Sequence, residues 1–251
     1  MPTAIPEKAH QLLDTAQYIV ALTGAGISTP SGIPDFRSPE SGFWDRVDPM
    51  AVASIQGFRR NPQAFYDWIR PLMDVTANAK PNLAHIALAE MQVMGKLKSV
   101  ITQNIDGLHM AAGSQDVIEL HGHNRTMTCQ RCGTQLASDG PMQTFAADGN
   151  VPHCVCGGVL KPDVILFGEM LPYDAIRSAQ QHCVACDLMI VAGSSLQVSP
   201  ASDLPREAVL TGARLILVNY EATPMDRWAD VIIRDDVAEV LPQFANHLTL
   251  S

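Results

Sequence analysis

The sequence predicts an α/β protein whose main domain is a Rossmann-like, doubly wound parallel sheet, with a smaller insert domain. Three observations predict this fold. Short apolar runs, typical of strands buried on both faces, alternate with amphipathic helical patterns, and this order gives parallel strands joined by helices. The first apolar run leads directly into a glycine turn, Gly24-Ala25-Gly26. Two cysteine pairs then interrupt the alternation between residues 129 and 156.

The individual elements follow from hydrophobic periodicity along the chain. Strands are predicted where a run is short and almost wholly apolar, at 18–23, 100–101, 117–120, 163–167, 187–192 and 214–218. Helices are predicted where apolar residues recur every three or four positions, at 5–17, 83–94, 176–183 and 237–248. An aromatic-rich stretch over residues 43–73 predicts a small helical module, and we expect most of its aromatic side chains in a core.

The composition argues against several classes of protein. The formal net charge is −9, whereas binding to nucleic acid or to an anionic membrane needs clustered lysines and arginines. No apolar run approaches the ~20 residues of a membrane-spanning helix. The N-terminus lacks a basic region followed by an apolar one, so we expect no signal peptide and a cytoplasmic protein. The sequence does not fix the oligomeric state and is consistent with a monomer.

Polar side chains follow two neighbouring strands at the point where each strand ends. Gln103, Asn104 and Asp106 follow one apolar run, and His121 follows the next. Ligands of open α/β sheets bind beyond the carboxyl ends of the strands. We therefore expect an amide pair, a carboxylate and an imidazole to converge on one crevice, where they could orient a ligand and move a proton.

The glycine turn after the first strand indicates the start of a dinucleotide-binding unit. Glycine lets the backbone approach a pyrophosphate, whose charge the following helix N-terminus favours. The full fingerprint has a third glycine, where this chain has Thr29. The loop over residues 31–42 is rich in Pro, Gly and Ser, and long loops in compact domains tend to be functional. Within it, Arg37 could pair with a phosphate and Phe36 could cover a ring.

The two cysteine pairs match a zinc ribbon. Cys129 and Cys132 form a C-x-x-C pair, while Cys154 and Cys156 form a C-x-C pair that is one residue shorter. A ribbon supplies four protein ligands and leaves no open coordination position. The metal is therefore expected to be structural.

The third zinc ligand has an alternative, and a further cysteine pair competes for the role. His153 and Cys156 have two residues between them, so a site of three cysteines and one histidine, with His153 in place of Cys154, stays open. Cys183 and Cys186 also have C-x-x-C spacing. Because Cys183 falls on the apolar face of a predicted helix, we expect it to behave as a small core residue.

Together these features resemble the sirtuin family of NAD-dependent protein deacylases, over nearly the whole chain. The motifs that carry the resemblance are Gly24-Ala25-Gly26-Ile27-Ser28, Ile33-Pro34-Asp35-Phe36-Arg37, Gln103-Asn104-Ile105-Asp106, His121-Gly122, the cysteine pairs, Phe167-Gly168-Glu169, Gly193-Ser194-Ser195 and Val218-Asn219. No single motif is decisive, but the ordered set is highly specific. Ser38 stands where the family usually has glycine.

The resemblance implies NAD and zinc as cofactors and assigns residues to each. NAD would be held by residues of the glycine turn, the loop after it and the strand ends: Gly24, Ala25, Gly26, Asp35, Phe36, Arg37, Gln103, Asn104, Ile105, Asp106, Gly193, Ser194, Ser195, Asn219, Glu221 and Val237. Ile105 and Asp106 would bind the carboxamide of nicotinamide. Zinc would be held by Cys129, Cys132, Cys154 and Cys156.

The resemblance also implies a reaction and a substrate. Acyl-lysine proteins would be the partners, nicotinamide would be released and the acyl group would pass to ADP-ribose. The catalytic residues would be His121 as general base, Asn104 orienting ribose or a water, and Asp106. The substrate peptide would add as a strand through main-chain hydrogen bonds, at Ile165, Phe167, Gly168, Glu169 and Val198.

The choice of acyl group is predicted from one local departure. Family members that remove succinyl groups carry a Tyr-x-x-Arg pair in the helical module. Here Tyr66 is followed at that spacing by Ile69, and Arg70 comes one residue later. One residue turns a helical side chain by about 100°. We therefore expect acetyl and apolar acyl groups to be preferred over succinyl.

The resemblance divides the chain into two domains. Residues 1–36, 81–124 and 160–251 would form the NAD-binding domain. The helical module at 37–80 and the zinc ribbon at 125–159 would form the small domain.

Two other enzyme classes compete with the deacylase interpretation. A mono-ADP-ribosyltransferase or NAD hydrolase would use the same cofactor site and is the alternative function. A nicotinamide oxidoreductase would share the fold, but it has no use for a zinc ribbon or for Asp106 at the nicotinamide.

Overall fold

The structure is a computed structural model, and it describes residues 4–35 and 48–250. The chain divides into two compact units. The large unit comprises Met1–Asp35, Ala79–Leu120 and Tyr173–Ser251, and the small unit comprises Phe36–Asn78 and His121–Pro172. Within the described ranges, no helix has the length and apolar character needed to cross a membrane.

The described chain contains short strands and helices of varied length. The strands are β1 (Ile19–Thr23), β2 (Leu97–Thr102), β3 (Val117–Glu119), β4 (Gly122–Cys129), β5 (Gln135–Ala137), β6 (Leu160–Val164), β7 (Leu188–Ala192), β8 (Arg214–Val218) and β9 (Val231–Ile233). The helices are α1 (Glu7–Thr15), α2 (Pro49–Val52), α3 (Ile55–Arg60), α4 (Pro62–Asn78), α5 (Leu83–Val93), α6 (Leu108–Ala111), α7 (Asp139–Asp148), α8 (Tyr173–Ala185), α9 (Leu204–Leu210) and α10 (Val237–Leu250).

The large unit is organised on a six-stranded sheet in the order β3-β2-β1-β7-β8-β9. Every neighbouring pair in this sheet is parallel. All side chains of β1 and β7 are buried, as expected of central strands that are covered on both faces. The first strand along the chain, β1, is central, and later strands are added on both sides of it, so the predicted doubly wound fold is confirmed.

The core of the large unit joins helices α1, α5 and α10 to the sheet. Its fully buried members include Leu13, Ile19, Leu88 and Phe244. Burying one large apolar side chain stabilises a fold by ~1.5–3 kcal/mol. The helical periodicity of the sequence thus identifies the residues that hold this unit together.

Four strands differ from the sequence prediction, and two of them, β4 and β5, lie in the small unit where no strands were predicted. The apolar run predicted at 163–167 appears as β6, which begins earlier and pairs antiparallel with β4 in the small unit. Apolar character predicts a buried strand but does not reveal its partner or its direction. The edge strand β9 was not predicted, because its three residues are too few to show a period.

The small unit combines a three-stranded antiparallel sheet, in the order β5-β4-β6, with helices α2, α3, α4 and α7. Phe58, Phe65, Tyr66 and Phe145 are all buried. Ring centroids lie 5.2 Å apart for Phe58 and Phe65 and 5.0 Å apart for Tyr66 and Phe145. These aromatic side chains form a core, as predicted, whereas Trp44 lies outside the described residues.

Three described segments group differently from the division that the sequence suggests. Residues 121–124 and 160–172, expected in the NAD-binding domain, belong to the small unit, and residues 79–80, expected in the helical module, belong to the large unit. The reason for the first two is the pairing of β4 with β6, in which Gly122 lies opposite Val164. A long-range antiparallel pairing of this kind leaves no local signal in the sequence.

Candidate active site and metal centre

The turn after β1 packs directly on the turn after β7. The Gly26 N–H donates to the Gly193 carbonyl at 2.9 Å. A Cβ atom on Gly26 would lie 2.9 Å from the Gly193 Cα. Gly193 itself has φ +61°, and a Cβ there would meet the Ile27 nitrogen at 2.3 Å. Close packing of two turns therefore requires these glycines, a reason that the sequence interpretation based on a pyrophosphate did not include.

The Asp106 carboxylate is fixed by one donor on each oxygen. Ser28 Oγ donates to Oδ2 at 2.7 Å, and the Leu108 N–H donates to Oδ1 at 2.9 Å. The side chain is half-buried. A carboxylate oxygen has two acceptor lone pairs, so Asp106 keeps capacity to accept from a ligand in a fixed orientation.

The two amides next to Asp106 are also held within the large unit. Asn104 Nδ2 donates at 3.1 Å to the Gly24 carbonyl and at 3.1 Å to Ser28 Oγ. Gln103 Nε2 donates to Ser194 Oγ at 2.8 Å. The structure thus brings strand-end residues of β1, β2 and β7 into one hydrogen-bonded cluster that contains the predicted amide pair and carboxylate, whereas His121, the predicted imidazole, belongs to the small unit.

A pair of buried histidines lies behind this cluster and was missed by the sequence analysis. The rings of His85 and His109 have centroids 4.8 Å apart, and both side chains are buried. His109 Nε2 shares a 2.9 Å hydrogen bond with Thr23 Oγ1, and His85 Nε2 lies 3.5 Å from Ser28 Oγ. The sequence offered one indication that His109 lies near the site, namely its position three residues after Asp106.

Burial keeps both imidazoles uncharged near neutral pH. It lowers the pKa of His85 to about 4, against an opposing effect of Asp106. It lowers the pKa of His109 to about 3, and the neighbouring His85 lowers it further. Neutral rings can accept as well as donate, which suits a network of hydroxyl groups.

The remaining residues predicted to bind the cofactor in the large unit differ in exposure. Asn219, after β8, donates from Nδ2 to the Glu221 carbonyl at 2.9 Å, and Glu221 is exposed. Val237 is buried in the apolar core. Asp35 and Ser195 are half-buried. Phe36 and Arg37 lie outside the described residues.

The polar residues at these strand ends fit a nicotinamide dinucleotide. Side-chain amides and hydroxyls are suited to ribose hydroxyls and to the carboxamide. Asp106 is an oriented acceptor for an NH2 group, held by Ser28 and the Leu108 backbone. Ile105, the other residue expected at the carboxamide, is half-buried beside it.

His121 is positioned in the small unit, directly before β4. Its carbonyl accepts a hydrogen bond from the Ile165 N–H at 2.8 Å, and its side chain is half-buried. The next residue, Gly122, has φ +70°, and a Cβ there would lie 2.1 Å from the Asp163 carbonyl oxygen. Only glycine allows this approach, and it fixes the backbone that carries the imidazole.

The residues expected to bind the peptide fall in both units. Phe167 pairs with the segment before α3: its N–H donates to the Ala53 carbonyl at 2.9 Å, and its carbonyl accepts from the Ile55 N–H at 3.0 Å. Its side chain is exposed, as is Gly168, whereas Ile165 is half-buried. Val198, half-buried, belongs to the large unit.

Four cysteines of the small unit converge on one point. The sulfur atoms of Cys129, Cys132, Cys154 and Cys156 all lie within 4.8 Å of one another. Cys129 and Cys156 are 3.5 Å apart, and Cys132 and Cys154 are 3.8 Å apart. A tetrahedral zinc ion with Zn–S bonds of ~2.3 Å places its sulfurs about 3.8 Å apart. The cluster therefore fits a structural zinc ion.

A tight turn after Cys154 allows both cysteines of the short C-x-C pair to reach the cluster. The Cys154 N–H donates to the Gly158 carbonyl and the Gly157 N–H to the Cys154 carbonyl, both at 2.8 Å. A Cβ on Gly158 would lie 2.6 Å from Cys129 Sγ. The Arg131 N–H also points to Cys129 Sγ, at 3.4 Å.

The alternative zinc ligands lie outside the cluster. His153 is exposed, and its Nδ1 lies 2.7 Å from the Val151 carbonyl. Cys183 and Cys186 are buried, and burial raises the pKa of both thiols, that of Cys186 to about 12. Cys154 is thus the member of the described cluster, and Cys183 is a core residue as predicted.

Comparison with known proteins identifies the family. The family model described as "Sir2 family" matches residues 24–200, more than half of the chain. The chain belongs to the Sir2 family. The match spans the glycine turn, the cluster around Asp106, His121 and the four cysteines, so the Sir2 likeness covers both units.

Individual Sir2 relatives agree over nearly their whole lengths. An "NAD-dependent protein deacetylase 1" of Pyrobaculum aerophilum is 47% identical over 243 residues, which is 96% of this chain and 94% of the relative. An "NAD-dependent protein deacetylase" of Sulfurisphaera tokodaii is 45% identical over 242 residues, 96% of this chain and 95% of the relative. A solved structure described as "Sir2-p53 peptide-NAD+" has a TM-score of 0.90 at 39% identity and covers 99% of this chain and 100% of its own.

Proposed function

We propose that this protein is an NAD-dependent protein-lysine deacylase that transfers the acyl group to ADP-ribose and releases nicotinamide. Relatives of the same length carry the name NAD-dependent protein deacetylase, and a similar solved structure contains a peptide and NAD+. The substrates are proteins with acylated lysines. The formal net charge of −9 suits lysine-rich partners and argues against direct binding to nucleic acid. A cytoplasmic location and a monomeric state are part of this proposal.

The observation that carries the proposal is the fixed Asp106 carboxylate. Its two hydrogen bonds from Ser28 and Leu108 orient the remaining lone pairs before a ligand arrives. An oriented carboxylate selects a donor such as the carboxamide NH2 of nicotinamide. A preformed acceptor also loses less conformational entropy on binding than a mobile one.

NAD, when bound, supplies the ADP-ribosyl group that accepts the acyl group. Asp106 and Ile105 would hold the carboxamide, and Asn104 would orient ribose or a water. Gln103 and the turns at 24–26 and 193–195 would help to hold the dinucleotide. Asn219 and Glu221 contact the adenosine end, while Asp35, Phe36, Arg37 and Val237 complete the cofactor-binding set.

His121 is the proposed general base, and it removes a proton from a ribose hydroxyl. Histidine suits this role because the unperturbed pKa of an imidazole, ~6.5, lies near working pH. Its backbone is anchored to Ile165, in the proposed peptide-binding segment. The zinc ion has only a structural role, because four cysteines leave no open coordination position.

Product analysis tests the proposal against its alternatives. The protein is incubated with NAD and an acetyl-lysine peptide, and products are identified by liquid chromatography and mass spectrometry. We expect equal amounts of nicotinamide, free-lysine peptide and O-acetyl-ADP-ribose. ADP-ribose with an unchanged peptide would indicate an NAD hydrolase, and an ADP-ribosylated peptide would indicate a transferase.

Asp106→Asn is the matched variant for this assay. The amide presents an NH2 group to at least one of the two donors that now bind the carboxylate, so the carboxamide loses its oriented acceptor. We expect turnover and nicotinamide exchange to fall together, by about tenfold or more, as for loss of one charged hydrogen bond. A loss of turnover without a loss of nicotinamide exchange, or the reverse, would contradict the assignment of Asp106 to the nicotinamide carboxamide.

A further inference from the structure

An ion pair between a buried lysine and a half-buried glutamate joins β6 to the proposed peptide-binding segment. Lys161 Nζ lies 2.9 Å from Glu169 Oε2, and the lysine side chain is only 7% exposed. The same ammonium donates to the Val164 carbonyl at 2.7 Å and to the Pro162 carbonyl at 3.1 Å. Among the described residues, Lys161 is the only lysine, arginine, aspartate or glutamate that is buried.

The placement of this pair calls for a reason other than stability. Removing a lysine ammonium from water costs free energy that its attraction to a carboxylate often does not recover, and apolar residues of similar size are often as stabilising. In some proteins buried ionic groups select one conformation among several. The contacts of Lys161 identify the conformation that it would select here.

The pair closes a turn between Leu166 and Glu169. Glu169 Oε2 accepts the Leu166 N–H at 2.8 Å, and the Glu169 N–H donates to the Leu166 carbonyl at 3.0 Å. The Glu169 carboxylate therefore binds Lys161 and the backbone of its own turn. Outward, the turn presents apolar side chains: Phe167 is 40% exposed and Met170 is 90% exposed.

We propose that Lys161 is a positioning residue that sets the affinity for the acyl-lysine peptide by holding the segment Ile165–Glu169 in shape through Glu169. The proposal rests on the proposed function. A peptide that binds through main-chain hydrogen bonds needs a partner backbone of fixed geometry. Lys161 is not proposed to touch the substrate; its ammonium binds two carbonyls before the segment and the carboxylate of the last residue of the segment.

The test measures KM for an acetyl-lysine peptide and for NAD separately, on the full chain loaded with zinc. Lys161→Met removes the ammonium at similar volume, Lys161→Arg keeps charge and donors, and Glu169→Gln keeps an acceptor for the Leu166 N–H without the charge. The matched control is Lys8→Met, which breaks an exposed ion pair with Asp230 in the large unit. Thermal unfolding and zinc content show whether each variant is folded.

We expect Lys161→Met to raise the peptide KM by about tenfold or more while the NAD KM and the zinc content stay close to wild type. Lys161→Arg should recover most of the peptide affinity, and Lys8→Met should change neither KM. A folded Lys161→Met variant with a wild-type peptide KM, or a parallel rise in both KM values, would overturn the proposal.

Two further outcomes are decisive. Should Lys161→Met fail to fold, Glu169→Gln is still expected to raise the peptide KM by about threefold, as for loss of charge from one hydrogen bond; an unchanged value would overturn the inference. Should the wild-type protein release no free-lysine peptide at all, the proposed function and this inference fall together, whereas failure of the inference alone leaves wild-type turnover intact.

Discussion

The two units of this chain obtain their internal order from different chemistry. The large unit buries a continuous apolar core under six parallel strands, and its polar turn residues bond to one another. The small unit brings four thiols within 4.8 Å beside a three-stranded sheet and an aromatic cluster. Apolar burial stabilises a fold unaided, whereas a cysteine cluster contributes folding free energy only with its metal. The order of the large unit is thus intrinsic, and that of the ribbon depends on an ion.

The same contrast applies to the proposed chemistry. The large unit holds the residues expected to bind nicotinamide, and the small unit holds His121 and most of the proposed peptide-binding residues. Cofactor binding and turnover should therefore be separable by substitutions in one unit or the other. The following experiments test that separation, from the largest expected effect to the smallest.

Removal of zinc is expected to have the largest effect. Structural zinc contributes ~10–16 kcal/mol in small zinc-binding domains, so a strong chelator or Cys154→Ser should unfold the ribbon and abolish deacylation. The large unit should keep the hydrogen-exchange protection of β1 and β7, because the four cysteines of the zinc cluster all lie in the small unit. Zinc analysis combined with hydrogen exchange measured by mass spectrometry checks both units in one sample.

Two control variants make the zinc experiment specific. Cys183→Ala removes a buried thiol from the large unit, and His153→Ala removes the alternative ligand. Both should retain one zinc per chain. Zinc loss in either variant, with retention in Cys154→Ser, would contradict the ligand set read from the structure.

His121→Ala should separate chemistry from cofactor binding. General acid–base catalysis contributes ~10²–10⁴-fold, so we expect kcat to fall within that range. The NAD dissociation constant should stay close to wild type, because the fixed carboxylate and amides lie in the large unit. Turnover kinetics and calorimetric NAD titration measure the two effects, with His153→Ala as the control. A variant that keeps more than a small fraction of wild-type turnover would exclude His121 as the base.

Acid should destabilise the large unit through its buried histidines. The pKa of His85 is about 4 and that of His109 about 3, against ~6.5 in an unfolded chain. The unfolded chain therefore binds protons that the folded unit does not. The contribution of the two neutral histidines to the free energy of unfolding is greatest above about pH 6.5. It decreases as the pH falls toward the folded-state pKa values of about 4 and 3. At ~1.4 kcal/mol per pKa unit, His85 alone implies a loss of roughly 3 kcal/mol.

Exchange protection of β1 amides between pH 7 and pH 5, in excess zinc and corrected for intrinsic exchange, measures this loss. His85→Gln and His109→Gln should each flatten the pH dependence, and His10→Gln, a substitution outside the buried pair, should not. An unchanged slope in both buried variants would show that other groups titrate.

The choice of acyl group is expected to be the smallest effect. Arg70 donates to the Ala146 carbonyl at 2.7 Å, and its guanidinium lies 5.6 Å from the Phe145 ring centroid. The buried Tyr66 hydroxyl donates to the Leu160 carbonyl at 2.6 Å. Both groups already have partners within the small unit. A succinyl carboxylate would not receive a hydrogen bond from either group, and an unpaired buried polar group costs ~1–3 kcal/mol. We therefore expect kcat/KM to be about tenfold lower for succinyl-lysine than for acetyl-lysine.

Acetyl-, butyryl- and succinyl-lysine versions of one peptide test this order. The control is Arg70→Met, which should weaken the contact with α7 without changing the ratio of succinyl to acetyl turnover. A succinyl preference that disappears in Arg70→Met would show that the guanidinium reaches the acyl group.

The sequence alone determined the features that depend on local pattern. Period and apolar content identified five of the six parallel strands and the helices α1, α5, α8 and α10, because burial on both faces or on one stripe leaves a regular signal. The motifs around Asp106, His121 and the cysteines identified the family, because order and spacing along the chain are what a motif records.

Tertiary structure decided what depends on residues far apart in sequence. The pairing of β6 with β4 moved 160–172 into the small unit, and convergence of sulfur atoms selected Cys154 over His153. The buried pair of His85 with His109 and the ion pair of Lys161 with Glu169 carry no local signature, since each needs a fold to bring it together and remove it from water. Period and spacing are properties of the chain, whereas burial and contact are properties of its packing.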